Sequence, residues 1–140
     1  MMTVSRRIVF CAGHRIWGHE GRCAHLHGHN YTAIFHAAAE ELDPLGRVID
    51  FSILKDRLGG WIDKHWDHGF ICHRGDEQTI AVLRSIPGQK MFLLDDNPTA
   101  ENLAQYLLRV VGPEQLAGTG VRLVKVELWE TENCRAEVTA

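Results

Sequence analysis

Nine histidines occur in the 140 residues of this chain, and six of them fall within the 23 positions from His14 to His36. The cluster lies between two segments rich in β-branched and aromatic residues, residues 4–12 and 31–39. That composition predicts two strands, and the glycines within residues 17–23 predict a loop between them. The histidines are therefore expected at the connected end of a β-hairpin, where side chains from both strands meet.

Three of these histidines are spaced to bind one metal ion. If the chain is extended from about His27, the side chains of His27 and His29 lie on the same face, because strand side chains alternate with a period of two. His14 follows the first strand, and the hairpin brings it beside the start of the second. A catalytic zinc site has three protein ligands and an open fourth position, so the pattern predicts catalytic Zn²⁺ on His14, His27 and His29. The other histidines of the cluster are expected to be exposed or structural: His19, His25 and His36.

The remaining composition excludes several classes of protein. The four cysteines are scattered with no CxxC pair, so neither an all-cysteine zinc site nor the dense disulfides of small secreted domains are expected. With 15 basic and 18 acidic residues and no basic run, the chain lacks the charge pattern of a nucleic-acid-binding protein. It has no long apolar run and no signal-peptide core, so no membrane partner is expected and a cytoplasmic location is predicted.

Two helices are predicted after the hairpin. Apolar residues recur at helical spacing through residues 52–65, with Ser52 as the N-cap. A second helix is predicted to begin after its N-cap Thr99 and to end at Gly112 and Pro113.

Residues 121–131 alternate between apolar and polar side chains and predict a third strand, and residues 134–138 predict a fourth. Residues 69–97 are less regular, with a short helix near residues 77–86. The resulting order is ββααββ. It predicts a single α+β domain over residues 1–140, with a four-stranded antiparallel sheet and two helices packed on one face.

Five short motifs then carry a resemblance to a known family. They are FCAGHR, CAHLHGHNY, WDH, NPTAEN and WETEN, and they occur in this order between Phe10 and Asn133. Together they resemble the ordered motifs of the 6-pyruvoyl tetrahydropterin synthase family. The three-residue gap between Cys23 and His27 is similar to that of the family's 6-carboxytetrahydropterin synthase branch, which acts in queuosine biosynthesis. The resemblance implies the tunnelling fold (T-fold) and a ring-shaped homo-oligomer, a hexamer, with active sites between subunits.

The resemblance also assigns roles to individual residues. It places the zinc ligands on the three histidines that the strand pattern indicates. It places a catalytic thiol on Cys23, which can act as a base when its pKa is lowered. It places a proton-transfer pair on Asp67 and His68, in which the carboxylate holds one imidazole nitrogen while the other exchanges protons. Of the other thiols, Cys11 and Cys134 are expected to be inert, and Cys72 is undecided.

The family's remaining catalytic residue falls on Glu130, whose carboxylate would accept two parallel hydrogen bonds from a pterin ring. The substrate that the resemblance implies is 7,8-dihydroneopterin triphosphate. In the carboxy-forming branch its products are 6-carboxy-5,6,7,8-tetrahydropterin, triphosphate and acetaldehyde. Thr99 and Glu101 match a family segment near the pterin pocket, but helix capping explains both equally well.

Three alternatives are considered, of which the first and third remain open and the second, a cupin-type enzyme, fails. Residues 69–97 are longer than expected for compact carboxy-forming members, so a pyruvoyl-forming synthase or another pterin-processing lyase on the same scaffold is the first. A cupin-type metal enzyme is the second, because Gly21-x5-His27-x-His29 opens like a cupin motif, but Ala33 and Ile34 stand where its glutamate ligand belongs. The third is a zinc-binding or storage protein without turnover.

Overall fold

The structure, a computed structural model, describes residues 1–140 and contains six strands and three helices. The strands are β1 (Val4–His14), β2 (His27–Ala39), β3 (Gly69–His73), β4 (Met91–Leu94), β5 (Val121–Trp129) and β6 (Arg135–Thr139). The helices are α1 (residues 51–65), α2 (Glu77–Arg84) and α3 (residues 100–115), and a single 3-10 turn, Arg22–Ala24, lies in the loop between β1 and β2. None of the helices has the length and apolar character needed to cross a membrane.

All six strands form one mixed sheet in the order β4-β3-β1-β2-β5-β6. The pairs β1–β2, β2–β5 and β5–β6 are antiparallel, whereas β1–β3 and β3–β4 are parallel. The four predicted strands are therefore present, but the prediction of a four-stranded, wholly antiparallel sheet with two helices is wrong. The elements that were not predicted are the edge strands β3 and β4, which both lie in residues 69–97; the short helix expected near residues 77–86 is present between them as α2.

β3 and β4 were not predicted because both strands are short and buried. They have five and four residues, and apolar side chains of both strands are packed on each face of the sheet. A short strand that is buried on both faces reads as a plain apolar run, which periodicity cannot distinguish from part of a helix.

The core lies between one face of the sheet and the helices α1 and α3. Phe10 and Tyr31 stack in it with ring centroids 5.1 Å apart, and Trp66 at the end of α1 lies 5.9 Å from Phe10. Helix α2 packs on the opposite face, where Ile80 and Leu83 form a small second cluster with Cys72. The expectation that all helices pack on one face is thus wrong for α2.

The helix ends differ from the prediction in two places. The N-cap of α1 is Asp50, whose carboxylate accepts the Ser52 backbone N–H at 2.9 Å, rather than Ser52 itself. The cap of α3 is Thr99 as predicted, and its hydroxyl accepts the Asn102 N–H at 3.1 Å. However, α3 continues past Gly112 and Pro113, because a π-turn over Leu107–Val111 shifts the hydrogen-bond ladder just before the proline that lacks an N–H.

Candidate metal centre and active site

The β1–β2 hairpin brings three histidines together in the way the alternation predicts. His14 pairs across the strands with His27, and Ala12 pairs with His29, so all three imidazoles lie on the same face at the end of the hairpin. The Nε2 atoms of His27 and His29 each lie 3.1 Å from Nε2 of His14. Two nitrogens bound to one tetrahedral zinc ion are separated by about 3.3 Å, so this histidine cluster has the geometry of a metal site.

Contacts behind the cluster hold the rings in the orientation that a metal needs. His14 is 1% exposed, and its Nδ1 donates to the Pro98 carbonyl at 2.7 Å, with the Tyr31 hydroxyl 3.3 Å away. His27 Nδ1 donates to the carbonyl of His25 at 2.7 Å. A donor on Nδ1 leaves the lone pair of Nε2 free for a metal. These carbonyl partners are positioning groups that the sequence did not reveal.

Burial also keeps the cluster in the neutral form that a metal requires. Burial is the main cause that lowers the pKa of His14 to about 4; the hydrogen bond to the Pro98 carbonyl opposes this shift, and the neighbouring imidazoles of His27 and His29 add to it. The pKa of His29 is lowered by burial as well, although the Glu130 carboxylate opposes that shift. At neutral pH both rings therefore present lone pairs, not protons, to the space between them.

Two facing glycines allow the strands to approach at the ligand end. Gly13 pairs with Gly28 between the ligand positions. A Cβ on Gly28 would lie 3.0 Å from the Ala12 carbonyl oxygen, and one on Gly13 would lie 2.6 Å from the Phe70 ring. A side chain at Gly28 would therefore push β1 and β2 apart and separate the histidines, whereas one at Gly13 would displace the Phe70 ring of β3.

Residues 69–97, for which the sequence showed little regularity, anchor the same end of β1. Arg15, next to His14, donates two hydrogen bonds to Asp76 at 2.6 and 2.7 Å, and this carboxylate caps α2. The side-chain amide of Asn97 accepts the backbone N–H of Trp17 and donates to its carbonyl. Residues 69–98 therefore fix both the start of the loop and the carbonyl that orients His14.

Glu130, directly after β5, faces the histidine cluster. Its Oε1 lies 3.4 Å from Nε2 of His14 and 3.4 Å from Nε2 of His29, and its side chain is 30% exposed. Its backbone N–H donates to the Cys134 carbonyl in the turn before β6. The structure thus places Glu130 next to the three predicted metal ligands. Its expected role, which is to bind a pterin ring, does not by itself require the carboxylate to lie this close to them.

Asp67 and His68 follow α1 and make the predicted contact with each other. Nδ1 of His68 donates to Asp67 Oδ2 at 2.8 Å, and Asp67 Oδ1 accepts the backbone N–H of Cys11 at 3.0 Å. Burial would raise the pKa of Asp67, but these hydrogen bonds outweigh it and lower the pKa below its usual value. His68 has a positive φ of 58°, which is uncommon for a residue other than glycine and is held by its N–H bond to the Cys11 carbonyl.

The Asp67–His68 pair lies on the other face of the sheet from the histidine cluster. Cys11 alternates along β1 with the core residues Phe10 and Ala12, so its side chain points away from the core. Its thiol, an Asp67 oxygen and a His68 nitrogen lie within 4.8 Å of one another. Cys11 and His68 line a cavity of about 300 Å³ that is also lined by Asn30 and His29. Cys11, expected to be an inert strand residue, is therefore a neighbour of the acid–base pair.

Cys23 belongs to neither group of side chains. It lies in the 3-10 turn with its side chain exposed, and its carbonyl accepts the Ile16 N–H at 2.7 Å. Cys134 is exposed in the turn before β6 instead of lying in a strand. Cys72 is 2% exposed, and burial raises the pKa of its thiol to about 11, which makes it unreactive near neutral pH.

Comparison with known proteins assigns the chain to a family. A sequence profile described as 6-pyruvoyl tetrahydropterin synthase matches residues 3–140. The chain belongs to this family. Among its relatives, the 6-carboxy-5,6,7,8-tetrahydropterin synthase of Rickettsia bellii is 42% identical over 99% of this chain and 100% of its own length. The enzyme of the same name from Haemophilus influenzae is 32% identical over 94% of each chain.

Solved structures share the fold over nearly the whole chain. An uncharacterised protein from Wolinella succinogenes is similar with a TM-score of 0.83 and 26% identity, covering 99% of this chain and 97% of that one. The 6-pyruvoyl tetrahydropterin synthase of Caenorhabditis elegans is similar with a TM-score of 0.71 and 22% identity, covering 99% and 95%. These neighbours confirm the T-fold that the sequence motifs implied.

Proposed function

We propose that this family member is a zinc-dependent carbon–carbon lyase that converts 7,8-dihydroneopterin triphosphate into 6-carboxy-5,6,7,8-tetrahydropterin, triphosphate and acetaldehyde, as a step of queuosine and 7-deazapurine biosynthesis. One observation carries the proposal. Two imidazole nitrogens converge to 3.1 Å from a third in a chain that is 42% identical, along its full length, to a 6-carboxy-5,6,7,8-tetrahydropterin synthase. That match includes residues 69–97, so the longer middle segment is no argument against the carboxy-forming branch.

The donor set suits zinc. Three imidazole nitrogens that converge at the end of a hairpin are a typical catalytic zinc set, and His14, His27 and His29 would hold the ion. The ion supplies Lewis acidity when bound, which lowers the pKa of substrate hydroxyls next to it. The Pro98 and His25 carbonyls keep the ligand rings in the binding tautomer.

Glu130 would select and orient the pterin ring. A carboxylate accepts two parallel hydrogen bonds from a ring N–H and an adjacent amino group, so a pterin is favoured over rings that lack this donor pair. Its position 3.4 Å from two histidine nitrogens supports this role, because the ring would be held with its side chain beside the metal cluster.

Cys23 and the acid–base pair would move the protons of the reaction. Asp67 holds Nδ1 of His68 and leaves Nε2 to exchange a proton, while the exposed thiol of Cys23 can act on the other face of the substrate side chain. Within one chain the pair faces away from the histidine cluster. This supports active sites between subunits of a homo-oligomer, a hexamer, in which a second copy contributes the Asp67–His68 pair. We place this assembly in the cytoplasm.

The experiment that tests the proposal is incubation of purified, zinc-loaded protein with 7,8-dihydroneopterin triphosphate and identification of the products by mass. We expect 6-carboxytetrahydropterin together with one acetaldehyde and one triphosphate per turnover. A pyruvoyl product would instead assign the chain to the pyruvoyl-forming branch. Absence of any product, with bound zinc and no affinity for pterin, would favour a metal-binding protein without turnover.

A further inference from the structure

We propose that Glu130 is the fourth metal ligand in the substrate-free protein, and that binding of the pterin ring draws its carboxylate off the metal and opens the coordination position for the substrate's hydroxyls. The inference rests on the proposed function and adds a regulatory step to it. Recognition of the ring and access to the metal would then be one event, carried by one side chain.

Two of the three carboxylate-to-imidazole distances match a tetrahedral set. Around one zinc ion, a carboxylate oxygen and an imidazole nitrogen are separated by about 3.4 Å when both are ligands. Oε1 of Glu130 lies 3.4 Å from Nε2 of His14 and 3.4 Å from Nε2 of His29, while these histidine nitrogens lie 3.1 Å apart. The oxygen therefore lies beside the His14–His29 edge of the site that the three imidazoles outline, and more than 4.0 Å from the ring nitrogens of His27.

The charge around Glu130 supports a metal partner. No lysine or arginine nitrogen lies within 4.0 Å of its carboxylate, and the only nearby basic groups are the ring nitrogens of the cluster. A partly buried carboxylate without a cationic partner is costly, and a divalent cation between it and the histidines would compensate its charge.

The backbone aims this side chain from a fixed point. Trp129 pairs with Thr32 on one side and with Arg135 on the other, and the Glu130 N–H closes the following turn on the Cys134 carbonyl at 3.0 Å. The backbone of Glu130 is thus held in place, and its carboxylate can reach either the metal at the histidine cluster or the donor groups of a pterin ring. It can move between them by side-chain rotation without any change of the sheet.

The two roles exclude each other, and this makes the step selective. Three imidazoles and one carboxylate complete four-coordination, so a hydroxyl cannot reach the metal while Glu130 is bound. The donor pair of a pterin competes for the same carboxylate oxygens. A ligand shifts such an equilibrium only by its differential affinity for the two states, so only a ring with these donors opens the metal. A hydroxylated compound without the ring would be excluded.

The test uses the full protein loaded with Co²⁺, whose visible absorption changes when a ligand is added or exchanged. Azide is the probe of the open position, and pterin without a side chain is the probe of ring recognition. The variants are Glu130→Gln and Glu130→Ala, with Glu132→Gln as the matched control. In the parent and the control, azide is expected to bind weakly alone and at least about 10-fold more tightly with saturating pterin, a common size of coupling between sites. In both Glu130 variants azide is expected to bind tightly without pterin, and pterin is expected to have no effect.

Azide binding to the parent as tight as to Glu130→Ala, without pterin present, would overturn the proposal. So would equal coupling between azide and pterin in Glu130→Gln and the parent. Failure of the proposed function gives a different pattern. If the parent binds no pterin, the recognition role is lost, but the azide comparison between the parent and Glu130→Ala still decides whether Glu130 is a metal ligand.

Discussion

The histidine cluster and the Asp67–His68 pair lie on opposite faces of β1. They differ in the elements that supply them and in their exposure to solvent. The cluster comes from one hairpin, its central ring is 1% exposed, and its orienting partners are backbone carbonyls of the same chain. The pair comes from the turn after α1, and the His68 ring is 78% exposed. The difference teaches that one chain brings the three histidines together by itself, whereas the exposed Asp67–His68 pair leaves room for a second surface, as the proposed active site between subunits requires.

Removal of a ligand should have the largest effect. We expect the parent to hold about one zinc per chain, and His29→Ala to hold almost none and form no detectable product, because two imidazoles do not make a catalytic zinc site. Metal analysis after gentle purification measures the first and product mass the second. His25→Ala is the matched control, since its contribution to the cluster is a backbone carbonyl that alanine keeps. Parent protein without zinc and without zinc-dependent activity would remove the basis for the metal centre.

Replacement of Cys23, the proposed catalytic thiol, should have the next largest effect. Cys23→Ala is expected to keep its zinc and its fold but to lose turnover by about 10²-fold or more, the usual scale for a proton-transfer group. Cys134→Ala, also exposed, is the control and should be fully active. Loss of zinc from Cys23→Ala would make this residue a ligand, and full activity would contradict its role in proton transfer.

Co-expression of two inactive variants tests whether the groups on the two faces of β1 act in one site formed by two copies of the chain. If the thiol and the acid–base pair of one site come from different copies, co-expressed Cys23→Ala and His68→Ala chains should recover about one quarter of the parent activity, because about a quarter of the sites in random mixed oligomers are intact. Each variant alone is the baseline. No recovery in verified mixed oligomers would mean that one copy supplies both groups.

The buried histidine His14 also predicts that the stability of the metal-free protein depends on pH. Burial lowers the folded-state pKa of His14 to about 4, below the value of about 6.5 for an unfolded histidine. Unfolding of the metal-free protein therefore takes up a proton in this interval, so its free energy of unfolding should fall by about 3 kcal/mol as the pH drops from about 6.5 to about 4. Above pH 6.5 this contribution is constant. Denaturant titrations of metal-free parent and His14→Gln measure it, and equal pH slopes would contradict it.

The smallest effect is expected at Cys72, on the face that α2 covers. Because this thiol is packed with Ile80 and Leu83, Cys72→Ala should cost about 1 kcal/mol of stability and leave turnover unchanged. Chemical denaturation and steady-state assays measure the two quantities. A loss of turnover without a loss of stability would bring Cys72 into the chemistry.

The sequence by itself determined the parts of the protein that depend on neighbours along the chain. The period of two placed His27 and His29 on one face, and the hairpin pairing returned His14 to them. The Thr99 cap followed from hydrogen bonds that span three residues. In each case the relevant contacts are local or are imposed by one register, so the order of residues is sufficient to predict them.

Only the tertiary structure decided the contacts between distant segments. The parallel pairing of β3 and β4, the position of α2 on the opposite face and the approach of Glu130 to His14 join residues that no local period relates. The same holds for Cys11, which meets Asp67 across 56 positions of the chain. Periodicity reports which face of an element is apolar but not which element covers it, and packing of the whole chain makes that choice.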